Sequence, residues 1–215
     1  MRAGTRLALW GTLVGILSTL AYSERAAGGK PPKDVLYQYG TAVSSLVGYA
    51  LILVAVLAIA GGKRELLALR APRSWRKALV LGLVLLVAVL VAGSLLDRFL
   101  HAGREQGLTP TGWDPSRALQ YAANFAVVAG VAPFVEELTF RGLGYSLLSR
   151  FGAVPAIVAV GLSFGLVHGL LAALPILTIF GAALAWLRSR TDSVYPGMVV
   201  HATFNAVALV AAVTT

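Results

Sequence analysis

The chain has 215 residues, a net charge of +9, 58% hydrophobic residues and only 13% charged residues. A soluble domain of this length would be about half apolar and about a quarter charged, so the shortage of charge excludes an ordinary soluble protein. The chain contains no cysteine, which excludes disulfides, thiolate catalysis and metal sites built on cysteine. The composition therefore predicts an all-α, polytopic bundle of transmembrane helices.

Apolar runs predict seven transmembrane helices, because about 20 apolar residues cross a bilayer. In chain order they are Leu7–Tyr22, Leu36–Ala60, Ala78–Leu100, Leu119–Leu138, Val154–Ala173, the shorter Leu174–Leu187, and Val194–Val213. The mixed segment Thr139–Phe151 is interpreted as a helical continuation or an interfacial helix, with an eighth, tilted crossing as the alternative. The first run follows Arg2 and Arg6 as in a secretory signal, but without a clear cleavage site we expect it to be retained.

The positive residues predict the orientation of the bundle, since short loops rich in lysine and arginine stay cytoplasmic. A cytoplasmic N-terminus places on the inner side Arg2, Arg6, Lys63, Arg64, Arg70, Arg73, Arg76, Lys77, Arg150, Arg188 and Arg190. It leaves on the outer side Arg25, Lys30, Lys33, Arg98, Arg104 and Arg117. The excess of inner charge is explained by topology and by attraction to anionic lipids. Nucleic-acid binding is not predicted, because no basic run is interleaved with aromatics on a soluble face.

Two adjacent carboxylates and a guanidinium interrupt the apolar sequence at Glu136, Glu137 and Arg141. Each ionised group at membrane depth costs roughly 2.5–3.5 kcal/mol on insertion scales, so the three need partners or a function. Glu137 and Arg141 are four residues apart and share a helical face, whereas Glu136 points about 100° away. This pattern favours a functional site over a helix end that merely meets the interface.

Two further polar groups lie in later apolar spans. Phe164–His168 sets a histidine one turn after an aromatic residue, and His201–Asn205 places a histidine and an asparagine on one helical face. Either group alone could be a hydrogen-bonded packing residue. Together with the carboxylates they predict a hydrated pocket containing a base, two imidazoles, an amide donor and a carboxylate–arginine clamp, which are the parts of a hydrolase. His101, at a loop edge, is assigned no role.

Taken in order on successive helices, the three groups resemble the three motifs of the CAAX protease and bacteriocin-processing family of intramembrane proteases, also called the Abi family. The resemblance covers Leu119 to Val213. It divides a single membrane-embedded domain into N-terminal helices, 1–117, and a catalytic core, 118–215. It implies an intramembrane endopeptidase that acts on a membrane-anchored or lipidated protein or peptide.

The resemblance also implies roles for six residues. Glu136 would act as general base on a water, helped by His168, and His201 and Asn205 would donate hydrogen bonds to the oxyanion. Glu137 and Arg141 would hold the geometry. We therefore expect Glu137→Gln or Arg141→Ala to impair folding and activity, and Asn205→Ala to spare folding. No cofactor is favoured.

Two alternatives stay open at the level of sequence. Glu136, His168 and His201 could instead bind zinc with a water in the fourth position, although the compact His-Glu-x-x-His signature is absent. A different class of protein, an ion-coupled transporter or an immunity protein, could use the same buried charges. No inverted repeat supports a transporter. The substrate could be a prenylated tail, a bacteriocin or peptide precursor, or a C-terminal sorting signal.

The predicted spans leave one geometrical conflict. Glu136 lies near the inner end of the fourth span, whereas His168 lies roughly 21 Å into the fifth at 1.5 Å per residue. The two can meet only if the fifth span begins well outside the membrane or if Thr139–Phe151 turns back into it. We expect an integral membrane protein, with the N-terminus inside. The short chain rich in alanine, leucine, glycine and arginine indicates a prokaryotic plasma membrane.

Overall fold

The computed structural model describes residues 1–28, 34–105 and 112–214. Within these ranges the regular structure is helical and contains no strand, as predicted. The long helices are α1 (Ala3–Ala26), α2 (Tyr39–Ala60), α3 (Trp75–Leu100), α4 (Pro115–Phe151), α5 (Ala153–Leu166), α6 (Leu174–Thr191) and α7 (Tyr195–Thr214). Lys30, Lys33 and residues 106–111 of the connection between α3 and α4 lie outside the described ranges.

Five of these helices, α1 to α4 and α7, are long and apolar enough to cross a membrane. The chain is therefore an integral membrane protein. The predicted fifth span, Val154–Ala173, is wrong at its end, because α5 has only 14 residues and stops at Leu166. The turn that follows contains Gly169 with φ +65°, a left-handed backbone that no helix interior adopts. α6 continues four residues beyond the predicted Leu187, to Thr191.

Helix α4 runs through the segment Thr139–Phe151 without a break, so the predicted helical continuation is confirmed. All residues from Glu137 to Gly144 are buried within the bundle. The chain covers roughly 20 Å from Glu136 to Phe151, reverses at Gly152, and returns a similar distance along α5 to His168. This reversal resolves the conflict over how Glu136 and His168 can meet.

Helix α4 departs from α-helical pairing in two stretches, Val127–Val131 and Glu137–Gly144, which are π-helical. In the first stretch the N–H of Ala132 donates to the carbonyl of Val127, five residues back. The next donor in that register would be Pro133, which has no N–H, so the carbonyl of Val128 loses its partner. Such π-helical turns occur frequently at functional sites.

The main core contains buried side chains from every one of the seven long helices. Its members include Trp10, Val56, Val89, Leu143, Phe164, Leu184 and Val200. Trp10 connects α1 to α4 by donating from its indole N–H to the carbonyl of Thr139 at 2.9 Å. Because Trp10 belongs to the N-terminal helices and Thr139 to the predicted catalytic core, the two parts of the chain share one packed interior.

Glycine at position 144 lets α1 approach α4 at this point. A Cβ at Gly144 would lie 2.5 Å from the indole ring of Trp10, much closer than real side chains come. We expect Gly144→Ala to destabilise the protein by about 1–3 kcal/mol, as overpacking of a core does. Thermal unfolding in detergent measures the effect. Gly130→Ala is the matched control, since nothing lies within 4 Å of that position on the same helix. Equal melting temperatures for the two variants would contradict the expectation.

Contacts between arginine side chains and residues at helix ends bring several basic segments together at one end of the bundle. Arg6 of α1 donates from Nε to the carbonyl of Ile59, near the end of α2, at 3.0 Å. Arg70, in the connection between α2 and α3, forms an ion pair with Asp192 at the end of α6. Arg188 pairs with the same aspartate at 2.9 Å. The hydrogen bond from Arg70, followed by that from Arg188, holds the pKa of Asp192 below its usual range despite partial burial.

Candidate active site

A cavity of about 350 Å³ opens between α2, α4, α5, α6 and α7. Four of the six predicted site residues line it, namely Glu136, His168, His201 and Asn205. The rest of the wall is largely apolar and includes Phe164, Leu177, Phe180, Phe204 and Leu209. Residues from three separate stretches of sequence therefore converge on one space. The other two predicted residues, Glu137 and Arg141, lie behind its wall.

Glu137 and Arg141 form an ion pair with no solvent exposure at either side chain. The guanidinium Nη1 lies 2.9 Å from Oε1 of Glu137, and Nη2 donates to the carbonyl of Gly181 in α6 at 3.1 Å. The ring of Phe164 covers the guanidinium at 4.4 Å. A buried charge without a partner would cost several kcal/mol, so each member of this pair depends on the other. The pair links α4 to α6 directly behind the cavity.

His201 of α7 bridges the two glutamates. Its Nδ1 lies 3.2 Å from Oε1 of Glu137, and its Nε2 lies 3.7 Å from Oε2 of Glu136. Oε1 of Glu137 already faces the guanidinium of Arg141, and an oxygen in that position accepts hydrogen bonds, so Nδ1 of His201 is the donor. Phe180 packs edge-on against the imidazole, with ring centres 5.1 Å apart. These contacts fix the ring so that Nε2 faces Glu136.

Glu136 differs from its neighbour in its surroundings. Its side chain is 15% exposed, whereas that of Glu137 is completely buried. The hydroxyl of Tyr49, on α2, donates to Oε1 of Glu136 at 2.8 Å. Oε2 lies at the other side of the carboxylate, toward His201. Of the two glutamates, only Glu136 lines the cavity.

His168 lies in the turn between α5 and α6, one residue before the left-handed Gly169. Its Nδ1 is 2.7 Å from the carbonyl oxygen of Phe164. A carbonyl only accepts hydrogen bonds, so Nδ1 donates, and Nε2 is the ring nitrogen that this contact leaves free. A Cβ at position 169 would lie 2.8 Å from the backbone of Ala21, which shows how closely α1 packs on this turn.

Glu105 holds the other end of the same turn. Its carboxylate accepts the backbone N–H groups of Leu171 and Ala173, each at 2.9 Å, and pairs with Arg25 at the end of α1. Burial raises the pKa of Glu105, but these backbone hydrogen bonds and Arg25 together lower it below its usual range. The position of His168 therefore depends on contacts from two segments that precede the predicted catalytic core.

Asn205 has a structural contact as well as a place in the cavity wall. Its amide Nδ2 donates to the carbonyl of Val128 at 2.9 Å. This is the carbonyl that Pro133 leaves without a partner in the π-helical register. The amide thus joins α7 to α4 across an irregular turn of the helix.

If Asn205 has the oxyanion role that the resemblance implies, we expect Asn205→Ala to lower kcat by about 10²–10³-fold, the usual loss for one such donor. The protein should stay folded and lose about 1 kcal/mol, because the half-buried carbonyl of Val128 gives up one hydrogen bond. Peptide cleavage and thermal unfolding in detergent measure the two effects. Thr203→Ala is the matched control on the exposed side of α7, where the described hydrogen bond of its hydroxyl is to the carbonyl of Val199 on the same helix. A fully active Asn205→Ala protein would remove Asn205 from the oxyanion donors.

The sequence prediction did not include Tyr49 or the supporting contacts of Trp10 and Glu105. A signal for Tyr49 was present, since it is a ring with a polar hydroxyl in the middle of the largely apolar helix α2. A tyrosine hydroxyl buried in such a place needs a hydrogen-bond partner. The identity of that partner, 87 residues along the chain, is not encoded in any local pattern.

The zinc alternative requires three ligands to converge on one point. In the part of the chain that the structure describes, no three His, Asp or Glu side chains are arranged to hold a metal ion. Glu136, His168 and His201 line the same cavity but do not form a ready-made zinc site there. The Nδ1 atoms of both histidines are occupied by hydrogen bonds to protein groups.

The fold and the site together define a helical integral membrane protein with a carboxylate–histidine centre inside its bundle. The family model for Rce1-like type II CAAX prenyl endopeptidases matches residues 118–207. Over this segment the chain is similar to that family, in agreement with the resemblance drawn from the three motifs. No curated protein and no solved structure matches the chain.

Proposed function

We propose that the protein hydrolyses a peptide bond within the membrane by means of a water activated by Glu136. One observation carries the proposal: Glu136, alone of the two adjacent glutamates, lines a cavity that it shares with His168, His201 and Asn205. Oε1 of Glu136 already accepts a hydrogen bond from the hydroxyl of Tyr49. This leaves Oε2 to accept a proton from a water in the cavity.

The proposed reaction begins when Oε2 of Glu136 takes a proton from that water, which His168 orients through Nε2. The water oxygen attacks the peptide carbonyl, and the negative charge moves to the carbonyl oxygen. The carbon–nitrogen bond then breaks, the carbonyl re-forms as a carboxylic acid, and the leaving amine takes the proton from Glu136. The base is thereby restored, so no other reactant is consumed.

Asn205 and His201 are the proposed donors to the oxyanion. Since Nδ1 of His201 already donates to Glu137, Nε2 can donate only when the imidazole carries both protons. The carboxylate of Glu137, paired with Nδ1, faces that positive charge, whereas Glu136 is neutral at this stage because it holds the proton of the water. A donor held in place in a poorly hydrated site contributes on the order of 3–4 kcal/mol to lowering the barrier.

The proposed substrate is a membrane-anchored protein or peptide carrying a prenyl or another lipid chain. The basis for the prenyl group is that the matching family is one of CAAX prenyl endopeptidases. The apolar wall formed by Leu177, Phe180 and Phe204 is suited to a segment that already lies in lipid. A bacteriocin precursor and a C-terminal sorting signal are the alternative substrates, and the assay below compares the sorting signal with the prenylated peptide.

We also propose a prokaryotic plasma membrane with the N-terminus and the basic end of the bundle in the cytoplasm. The contacts of Arg6 with Ile59 and of Arg70 with Asp192 support this orientation, because they bring basic segments to one end. That clustering satisfies the rule that positive segments stay inside.

The test uses the full chain purified in detergent and returned to liposomes. The substrate panel contains a farnesylated CAAX peptide, the same peptide without the farnesyl group, and a transmembrane peptide with a C-terminal sorting signal. Products are identified by mass spectrometry, with and without a zinc chelator, and Glu136→Ala controls for contaminating proteases. Cleavage that survives the chelator and is lost in Glu136→Ala supports the proposal. Loss of cleavage in the presence of the chelator favours the zinc alternative. If the peptides bind but none is cleaved, the result contradicts the protease assignment.

A further inference from the structure

A second cavity of about 300 Å³ lies on the side of Glu136 that faces α1 and α2. Its wall includes Leu17, Ser45, Gly48, Ile52, Phe140 and Val167. Three residues, Tyr49, Glu136 and His168, line this cavity and the first one alike. The proposed base therefore stands at the partition between two spaces, and a tyrosine stands beside it.

The hydroxyl of Tyr49 makes the one hydrogen bond that ties the carboxylate of Glu136 to the N-terminal helices among the described contacts. The two oxygens are 2.8 Å apart. Tyr49 lies in the middle of α2, where leaving a hydroxyl without a partner would cost free energy. Its partner is the carboxylate that faces the cavity, not the fully buried Glu137.

We propose that Tyr49 is a positioning residue for Glu136. Holding Oε1 on the α2 side prevents the carboxylate from rotating and directs Oε2 into the cavity that His201 and Asn205 line. The inference rests on the proposed role of Glu136 as the base. Tyr49 lies outside residues 118–207, the segment that the family model matches. Under this proposal, the N-terminal helices therefore contribute to the geometry of the active site.

Removal of the hydroxyl has a defined kinetic signature under this proposal. Hydrogen bonds to charged groups are strong enough that losing one lowers a rate by about 10- to 100-fold. Because Tyr49 acts on the base and not on the substrate, the loss should appear in kcat while KM stays within about twofold. A residue that only supported the fold would lower the yield of active protein without this split.

The experiment compares Tyr49→Phe with wild-type protein on the best substrate of the panel, and with Tyr39→Phe as the matched control. Tyr39 begins the same helix and is 51% exposed, so its variant should keep wild-type kcat. The value of kcat is calculated per folded molecule, with the folded fraction taken from gel filtration. The same replacement is then made in Glu136→Asp, whose shorter side chain withdraws the carboxylate from the hydroxyl. If Tyr49 acts through Glu136, the second loss is much smaller than the first.

The outcomes separate this inference from the proposed function. A wild-type kcat for Tyr49→Phe, with Glu136→Gln inactive, overturns the role of Tyr49 and leaves the protease assignment intact. Equal losses from Tyr49→Phe in the wild-type and Glu136→Asp backgrounds overturn it as well, since the hydroxyl would then act independently of the base. Equal rates for wild-type and Glu136→Gln proteins contradict the proposed function itself, whatever Tyr49 does.

Discussion

Replacing Glu136 with glutamine is expected to lower kcat by about 10²–10⁴-fold, the usual contribution of a general base. Glutamine matches glutamate in shape and still offers a carbonyl oxygen to Tyr49, but it cannot take a proton from water. The side chain is partly exposed to the cavity, so the exchange should leave the melting temperature nearly unchanged. Initial rates on the prenylated peptide and thermal unfolding in detergent give the two measurements.

Glu24→Gln is the control for this variant, because Glu24 lies on the exposed surface of α1. It removes the same charge from the chain far from the cavity, and we expect wild-type kinetics. Retention of full activity by Glu136→Gln would rule out the carboxylate as the base. A large fall in melting temperature would mean instead that Glu136 contributes to folding, and activity would then have to be corrected for the folded fraction.

Replacing Arg141 with alanine is expected to destabilise the protein by about 3–5 kcal/mol and to abolish activity. The change leaves the completely buried carboxylate of Glu137 without its positive partner, and breaking a buried pair from one side carries a cost of this size. It also removes the donor to the carbonyl of Gly181 and the cation beneath the ring of Phe164. Thermal unfolding in detergent, together with the yield of monodisperse protein, measures the effect.

A double variant distinguishes charge imbalance from lost volume. Glu137→Gln combined with Arg141→Met removes both charges and keeps most of the bulk, so it should recover part of the stability that Arg141→Ala loses. Activity should stay low, because Nδ1 of His201 then lacks its carboxylate acceptor. Arg150→Ala, at the exposed end of α4, is the matched control for removing an arginine from the same helix. Stability of Arg141→Ala equal to that of the control would contradict the expectation.

The sequence was informative wherever a local rule applied. An offset of four residues predicted that Glu137 and Arg141 could pair, and the structure places their charged atoms 2.9 Å apart. The cost of polar groups in lipid singled out His168 and His201, and both line the cavity with Glu136. Their catalytic roles remain predictions until the variants are measured.

Prediction from hydropathy failed where an apolar segment forms a turn and not a helix. Residues 167–173 are apolar enough to extend a span, yet the glycine at 169 adopts a left-handed turn that allows His168 to face Glu136. The π-helical stretches of α4 were also not predicted, because a search for a repeat of 3.6 residues assumes regular pairing. Long-range partners such as Tyr49 for Glu136 are set by packing, which no pattern in a single sequence specifies.

The close fit of Ala21 against Gly169 has a consequence for protein engineering. Residues 118–207 could be moved into another protein as a cassette only if their contacts with the rest of the chain were kept. The host protein would have to supply an indole N–H for the carbonyl of Thr139 and a tyrosine hydroxyl for the carboxylate of Glu136. It would also need a helix with a small residue, as α1 has at Ala21, to pack against the turn beside His168. Chimeras should therefore exchange α1 and α2 together with the cassette.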